Sequence, residues 1–541
     1  ADAGLIRNDK SGETLSYGNL AELAAKLPVP EEDAITLKEP DEWRFIGQEV
    51  PSLTIPMITR GEGQFGIDVD VPDMVYAVVT RPPQVFGRTG NVDDAAALAV
   101  PGVLQTVRLP DPTPPALFQP KGGVAVIAKD TWAAMQGRDA LKVAWRDGPN
   151  ASYDSDVYGE ELKATSRRKG TVQRQRGNVA AGMAKAAKTI SAEYYAPHLT
   201  QSPMEPPSGT ARWTGDTLEC WGCVQDPQET RAVLSQALGI DKEKITVTPT
   251  WLGGAFGRKS KPDFMIEAAM IAREVGKPVK VTWTRECDIR HGFYHAVSAQ
   301  RMEAGLDEAG QCTSYLHRTT FPSIGSTFAN GVTAPGAGEL GLGATDVPFN
   351  PPNLQVESGE AKGHVRTGWL RSVCNGFHAF AVQSFAGVMA HAAGRDQKDY
   401  LLELIGEDRI IDPTAEGAEY SNYGGSAEEY PYDTARLKAA LNKAAAMAKW
   451  GRELPEGHGL GIAVHRSFLA YVATVIEAKV SPEGDLTIPG VWVAVDAGTV
   501  INPRHVRAQM EGGTIYGLSN ALYGSITAKN GAIVQDNFPS W

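Results

Sequence analysis

The nine residues Trp251-Leu252-Gly253-Gly254-Ala255-Phe256-Gly257-Arg258-Lys259 constrain this chain more than any other stretch. Ahead of them, Lys244 to Leu252 is β-branched or apolar at most positions and reads as a buried strand. Behind them, Asp263 to Val275 carries Phe264, Met265, Ile266, Ala268, Ala269, Ile271 and Ala272 and reads as a helix. Asp263 is placed to cap its start, and Gly276 and Pro278 to end it. Strand, glycine-rich turn and helix in that order let backbone approach a ligand closely, with N–H groups that favour an anion or a partly negative oxygen. A tight turn without a ligand satisfies the same pattern. The spacing is neither G-x-G-x-x-G nor G-K-[ST], so it lends little support to a dinucleotide fingerprint or a P-loop.

At 541 residues the chain has room for roughly three or four compact units. A hydrophobic share of 42% and a charged share of 21% are those of an ordinary globular protein. The net charge of −12 argues against nucleic acid or an anionic membrane as the main partner. No apolar run reaches the ~18 residues of a membrane span. The opening residues show no charged-then-apolar pattern, so an export signal is expected to be absent or already removed.

The chain alternates strands and helices. A polar lead-in, 1–40, holds one helix near Tyr17 to Lys26. From 41 to 155, Val124 to Ala128, Thr131 to Leu141 and Lys142 to Trp145 read as β-α-β. Residues 154–190, with Arg167, Arg168, Lys169, Arg174 and Arg176, read as a solvated basic connector. Gln228 to Leu238 is expected as a helix ended by Gly239. The Gly- and Pro-rich segment 321–364 reads as a long loop serving as a lid, channel wall or partner surface. Helices follow within Arg371 to Gly394 and from Thr434 to Trp450. A hairpin joins Val472–Val480 to Leu486–Val495, and a last helix opens at Asn502-Pro503 and runs to about Tyr523.

Conventional catalytic chemistry is poorly marked. Five cysteines at irregular spacing are not a disulfide framework, and Cys220 and Cys223 read as packed thiols. None of the ten histidines pairs with another at metal-ligand spacing such as H-x-x-x-H on a helix, and no G-x-S-x-G is present. No protein-ligated metal is expected. What remains is an organic cofactor held by backbone, Gln and Arg.

GGAFGRK resembles the GGxFGxK/R turn of the molybdenum hydroxylases, the xanthine dehydrogenase and aldehyde oxidase superfamily. Further stretches resemble that family in order: Gly63 to Val103 its small hammerhead domain, His198 to Pro206 its strand-entry motif, and Trp221 to Gln225 the segment carrying a glutamine near molybdenum. Arg371-Ser372-Val373 resembles its arginine turn, and Asp496 to Gly517 its late cofactor-binding helix. The wording is nearest the isoquinoline 1-oxidoreductase β-subunit-like branch. The resemblance implies an α+β protein: a lead-in (1–40), an α/β hammerhead domain (41–155), and a larger two-lobed molybdopterin-binding domain (156–395 and 396–541).

It also implies molybdenum on a molybdopterin, as the cytosine dinucleotide form, bound through dithiolene sulfurs and so without a protein ligand. The activity implied is hydroxylation of an aldehyde or N-heterocycle with oxygen from water. Electrons would pass to [2Fe-2S] clusters on an iron–sulfur subunit and on to a cytochrome or another acceptor, in the bacterial periplasm or cytoplasm, the periplasm being the family's lean. Carried over by position, Gln225 would hydrogen-bond an oxygen ligand of the metal, and the Gly253-Gly254-Ala255-Phe256-Gly257-Arg258 turn would face it. Arg371 with Ser372 and Val373 would meet the metal or pterin, and Gln509 the pterin or its tail. Neutral amides and N–H donors suit oxygens whose charge changes as a metal cycles.

Each residue has a plainer alternative. Gln225 is also placed to cap the next helix, Arg371 to form an ion pair, Gln509 to be solvated, and Glu205 to be a structural acceptor rather than a base. Ser260 stands where purine-oxidising relatives carry a glutamate. The family carries its base glutamate in a G-x-G-E motif close to the C-terminus, toward which relatives continue from about where this sequence stops, and its near-N-terminal M-G-Q-G segment is absent here. Both ends are therefore expected to be cut relative to the family. Other polypeptides would supply the rest, or the chain is a non-catalytic fragment or scaffold subunit. An enzyme using the glycine turn for another nucleotide cofactor is the further rival.

Overall fold

The computed structural model describes residues 3–541 and divides into two compact units. The smaller is the chain up to Pro51 together with Thr499–Arg507. In it Leu5–Arg7 pairs antiparallel with Thr14–Ser16, and helix Tyr17–Ala24 starts on Ser16, whose hydroxyl accepts the Asn19 N–H. Asn502 Nδ2 donates to the Val50 carbonyl at 2.8 Å, and the Gly47 N–H donates to that of Ile501 at 3.0 Å. These bonds tie the late segment to the early one.

The larger unit is a mixed α and β structure built on two main sheets. The first has seven strands in the order Ile245–Pro249, Thr217–Gly222, Ser208–Thr214, Val279–Thr282, Val75–Thr80, Gly123–Ala128, Val103–Leu109. Helix Asp263–Val275 covers it and buries Phe264, Met265, Ile266 and Ile271, each contributing about 1.5–3 kcal/mol. Gly209 and Gly222 allow the close approach, since a Cβ on either would lie 2.6 Å from Met265 Sδ. Cys220 and Cys223 are buried free thiols in this core. The sheet joins strands from both sides of residue 155, because Val279–Val281 pairs parallel with Val75–Ala77.

The second sheet has the order Thr171–Arg176, Asn353–Gly359, Cys312–Thr320, Ser298–Leu306, Lys188–Ala196. Its Met302, Tyr315, Leu354 and Val356 share one core with helices Asn375–Ala392, Gln397–Ile405 and Thr434–Met447. The same core includes residues of the antiparallel sheet His458–Ser467, Ala470–Val480, Leu486–Asp496. The expected hairpin is the last two of these strands. No helix among the described residues is long and apolar enough to cross a membrane.

Four expectations are corrected. Ile245–Pro249 is an edge strand with only Ile245 buried. The β-α-β order holds as Gly123–Ala128, Thr131–Ala140 and Lys142–Arg146, but its two strands lie in different sheets, since Lys142–Arg146 pairs antiparallel with Arg88–Asp93 in a separate ribbon. Residues 154–190 are not a solvated connector: they supply helix Ser155–Ser166 and two strands of the second sheet. Arg174 is 1% exposed, and Arg174 and Arg176 both hold Glu416. Segment 321–364 packs inward through Phe321, Val347 and Phe349 and contributes an inner strand, Asn353–Gly359, so it is not a free lid.

Asp346 lies in this buried segment. Burial pushes its carboxyl up to about 7, although one oxygen accepts the Gly343 N–H at 2.7 Å. Unfolded, it ionises near pH 4. A folded-state value above the unfolded one favours folding fully below about pH 4. That contribution declines as pH rises and is lost on passing about 7. Asp346→Asn is expected to gain on the order of 2–4 kcal/mol relative to wild type between pH 4 and pH 8. Urea titrations at the two pH values check this, and an unchanged difference contradicts it.

Candidate functional site

The glycine turn rests on a buried carboxylate. Glu205 accepts the Gly253 N–H at 2.8 Å, the Ile67 N–H at 3.2 Å and Lys259 Nζ at 2.7 Å. It is thus the structural acceptor of the two readings. Above it the chain passes through left-handed backbone at Gly254 (φ 88°), Phe256 (φ 53°) and Gly257 (φ 100°). Phe256 holds this conformation at a cost of about 1–3 kcal/mol, as strained residues at functional sites do. Gln225 Oε1 accepts the Gly257 N–H at 3.1 Å, while the Gln225 N–H donates to the Lys259 carbonyl. Gln225 does not cap the next helix: Asp226 does, accepting from Glu229.

The arginine turn meets this one directly. The Arg371 N–H donates to the Phe256 carbonyl at 3.0 Å. Ser372 (φ 76°) and Val373 (φ 49°) are both left-handed, which a β-branched residue rarely tolerates. His295 Nε2 bonds the Val373 carbonyl at 2.9 Å and fixes that strain. Burial pushes the His295 imidazole pKa down, so the ring is neutral and its Nε2–H is the donor. Arg371 Nη2 donates to the carbonyl and Oε1 of Gln509, at 2.9 and 3.0 Å. Among the described residues no carboxylate pairs with this guanidinium. Gly513, one turn along helix Pro503–Leu522, leaves room for it: a Cβ there would lie 3.2 Å from Nη2. Phe256 stacks on Tyr516 of the same helix at 4.8 Å.

Gln225, Phe256, Gly257, Arg371 and Gln509 thus form one continuous hydrogen-bonded chain, with Ser372 and Val373 beside it. Gly253 faces Glu205, and Gly254 and Ala255 complete the turn. Arg258 is the exception. Its side chain is fully buried, hydrogen-bonds Asp263 and lies 3.6 Å from Asp288, so the fold engages its guanidinium internally. Asp263 is taken up by that pairing; the residue at the helix cap is Pro262, without a capping bond. Two cavities of about 390 and 430 Å³ share Arg371, Gly513, Gly517 and Ala521. His295, Tyr516 and Lys261 went unrecognised in the sequence; only the spacing of Tyr516 from Gln509, two turns along one helix, marked any of them. No group of His, Cys, Asp or Glu among the described residues is arranged to hold a metal ion.

Two family models, both described as molybdopterin cofactor-binding domain, match residues 163–399 and 420–540. The β subunit of isoquinoline 1-oxidoreductase from Brevundimonas diminuta is 30% identical over 95% of this chain and 64% of its own length. A nicotinate dehydrogenase subunit from Pseudomonas putida is 27% identical over 95% of this chain and 42% of its own. The chain therefore spans about two-fifths to two-thirds of these relatives. Among solved structures, the aldehyde oxidoreductase of Desulfovibrio gigas superposes with a TM-score of 0.59 at 17% identity, over 86% of this chain and 54% of that one, a likeness of fold.

Proposed function

We infer the function from one premise: this chain belongs to the molybdenum hydroxylases, the xanthine dehydrogenase and aldehyde oxidase superfamily. It is the molybdopterin-binding part of an oxidoreductase that hydroxylates an aldehyde or an N-heterocycle with oxygen from water. The observation that carries this reading is the meeting of the two turns: Gln225 holds Gly257, the Arg371 N–H holds Phe256, and the Arg371 guanidinium holds Gln509 with no carboxylate partner among the described residues.

The residues fit such a group. They offer amide and guanidinium donors and no thiolate or imidazole ligand, which suits a metal that brings its own sulfur ligands. When bound, the cofactor supplies a two-electron redox centre and oxygen transfer to carbon. Around it Gln225 presents its Nε2 amide, since Oε1 is committed to Gly257. Arg371 presents the donors left over from Gln509, and Phe256 and Tyr516 form an apolar wall that keeps water off one side. Glu205 is not the general base, because Gly253, Ile67 and Lys259 take up its oxygens. Ser260 donates to the Gly257 carbonyl and serves the turn rather than a purine. Finer parts of the proposal are a cytosine dinucleotide tail, [2Fe-2S] clusters on a partner subunit, a cytochrome acceptor, a periplasmic setting and a hammerhead-like role for 41–155.

The purified complete assembly is expected to contain molybdenum and a pterin in equal amounts. Arg371→Met should lower pterin content at least about tenfold, because charge-assisted hydrogen bonds are lost, with circular dichroism unchanged. Wild-type assembly without metal or pterin would refute the proposal.

A further inference from the structure

Lys261 is 0% exposed, yet among the described residues it forms no ion pair. Asp263, two residues on, gives its oxygens to Arg258 and Arg366 instead. Lys261 Nζ donates to two carbonyls: Gly257 on the glycine turn, and Trp369 at 3.2 Å at the start of the arginine turn. The Trp369 carbonyl also accepts Gln201 Nε2 at 2.8 Å, so it is held from two sides. The lysine stem passes Gly368, where a Cβ would lie 2.8 Å from Cε. Burial, then the nearby Arg258, hold the amine well below the usual lysine pKa. The same amine lies 4.5 Å from the centre of the Trp369 ring, so it meets that residue through both carbonyl and side chain.

We propose that Lys261 is a positioning residue that clamps the glycine turn to the arginine turn, fixing the spacing between Phe256–Gly257 and Arg371 on which cofactor binding depends. The clamp crosses between segments more than a hundred residues apart, next to the Arg371 N–H to Phe256 carbonyl bond. Its cofactor consequence rests on the proposed function; its structural consequence does not, and the two are measured separately.

The test is hydrogen exchange on the full chain freed of cofactor, together with pterin content of the complete assembly. Lys261→Met removes both donors and keeps the stem. Gly368→Ala leaves the lysine but crowds its stem, and Phe293 Cβ at the same 2.8 Å. Each is expected to speed amide exchange in 369–373 at least tenfold, with strand Cys312–Thr320 at the wild-type rate, and to lower pterin content at least fivefold. Lys121→Met alters another buried lysine, bonded to Pro83 and His291, and should leave 369–373 unchanged. Exchange within twofold of wild type in both clamp variants overturns the proposal. So does exchange that rises equally in Cys312–Thr320, or variants that merely unfold, because a local clamp leaves the distant sheet intact. If wild-type assembly carries no pterin, the functional reading fails, while the exchange result still decides the role of Lys261.

Discussion

Gly257→Ala is expected to destabilise the protein by about 3–5 kcal/mol and to empty the site. Two penalties add. At φ 100° an alanine pays for left-handed backbone, about 1–2 kcal/mol. The larger penalty is steric, because the new Cβ would overlap the Trp369 carbonyl oxygen. That oxygen cannot retreat without losing Lys261 and Gln201. The turns must then separate, breaking the Arg371 N–H to Phe256 bond and moving the guanidinium off Gln509. Gly276→Ala is the matched control: Gly276 has φ 67°, but nothing lies within 4 Å of its added Cβ. It incurs the first penalty alone, about 1 kcal/mol. Urea titration and pterin content of the two variants decide the matter. If they behave alike, the overlap does not govern the site.

Comparison of these two glycines also marks what the sequence can disclose. Gly276 was legible as a helix stop because its role is local: it follows Val275, adopts αL and closes the end of one helix. Helix Asp263–Val275, the hairpin Ala470–Val480 with Leu486–Asp496, and helix Pro503–Leu522 were legible for the same reason, from apolar periodicity and flanking turn residues. Gly257 was legible as a turn, but its reason for being glycine is a carbonyl at position 369, which no local pattern encodes. The same holds for charges. Arg258 beside the glycines reads as a ligand donor until Asp263, Asp288 and Arg366 are brought around it. Strand Ile245–Pro249 looks buried because β-branched residues suit edge and centre alike, and only the pairing order assigns it to the edge. Arg174 and Arg176 look solvated until Glu416, about 240 residues later, meets them. The motifs single out Gln225, Phe256, Arg371 and Gln509, and the bonds that bring them together are tertiary.

Asp263→Ala is the second large effect expected, at about 3–5 kcal/mol. The Asp263 carboxylate is fully buried and accepts Arg258 Nη1 at 2.9 Å, Arg258 Nη2 at 3.2 Å and Arg366 Nη2 at 3.1 Å. Removing it leaves two buried guanidinia short of countercharge. Asp288 gives one oxygen to Arg285 at 2.8 Å and holds the other 3.6 Å from Arg258 Nε, beyond hydrogen-bond reach, so it replaces little of what Asp263 supplies. Aromatic faces soften the loss only partly: Trp283 lies 4.7 Å from the Arg258 Cζ, and Phe293 lies 4.0 Å from that of Arg366. Because a buried ion pair is often replaceable by apolar packing, the large effect should belong to the unpaired state rather than to the loss of charge itself. Asp263→Leu combined with Arg366→Met is therefore expected to recover at least about 1–2 kcal/mol relative to Asp263→Ala. The site should report the same event, since Arg258 directly follows Gly257 and its anchor fixes the exit of the glycine turn. Pterin content should fall in Asp263→Ala along with stability. Loss of stability with full pterin content would mean that the buried charges support the fold without holding the turn.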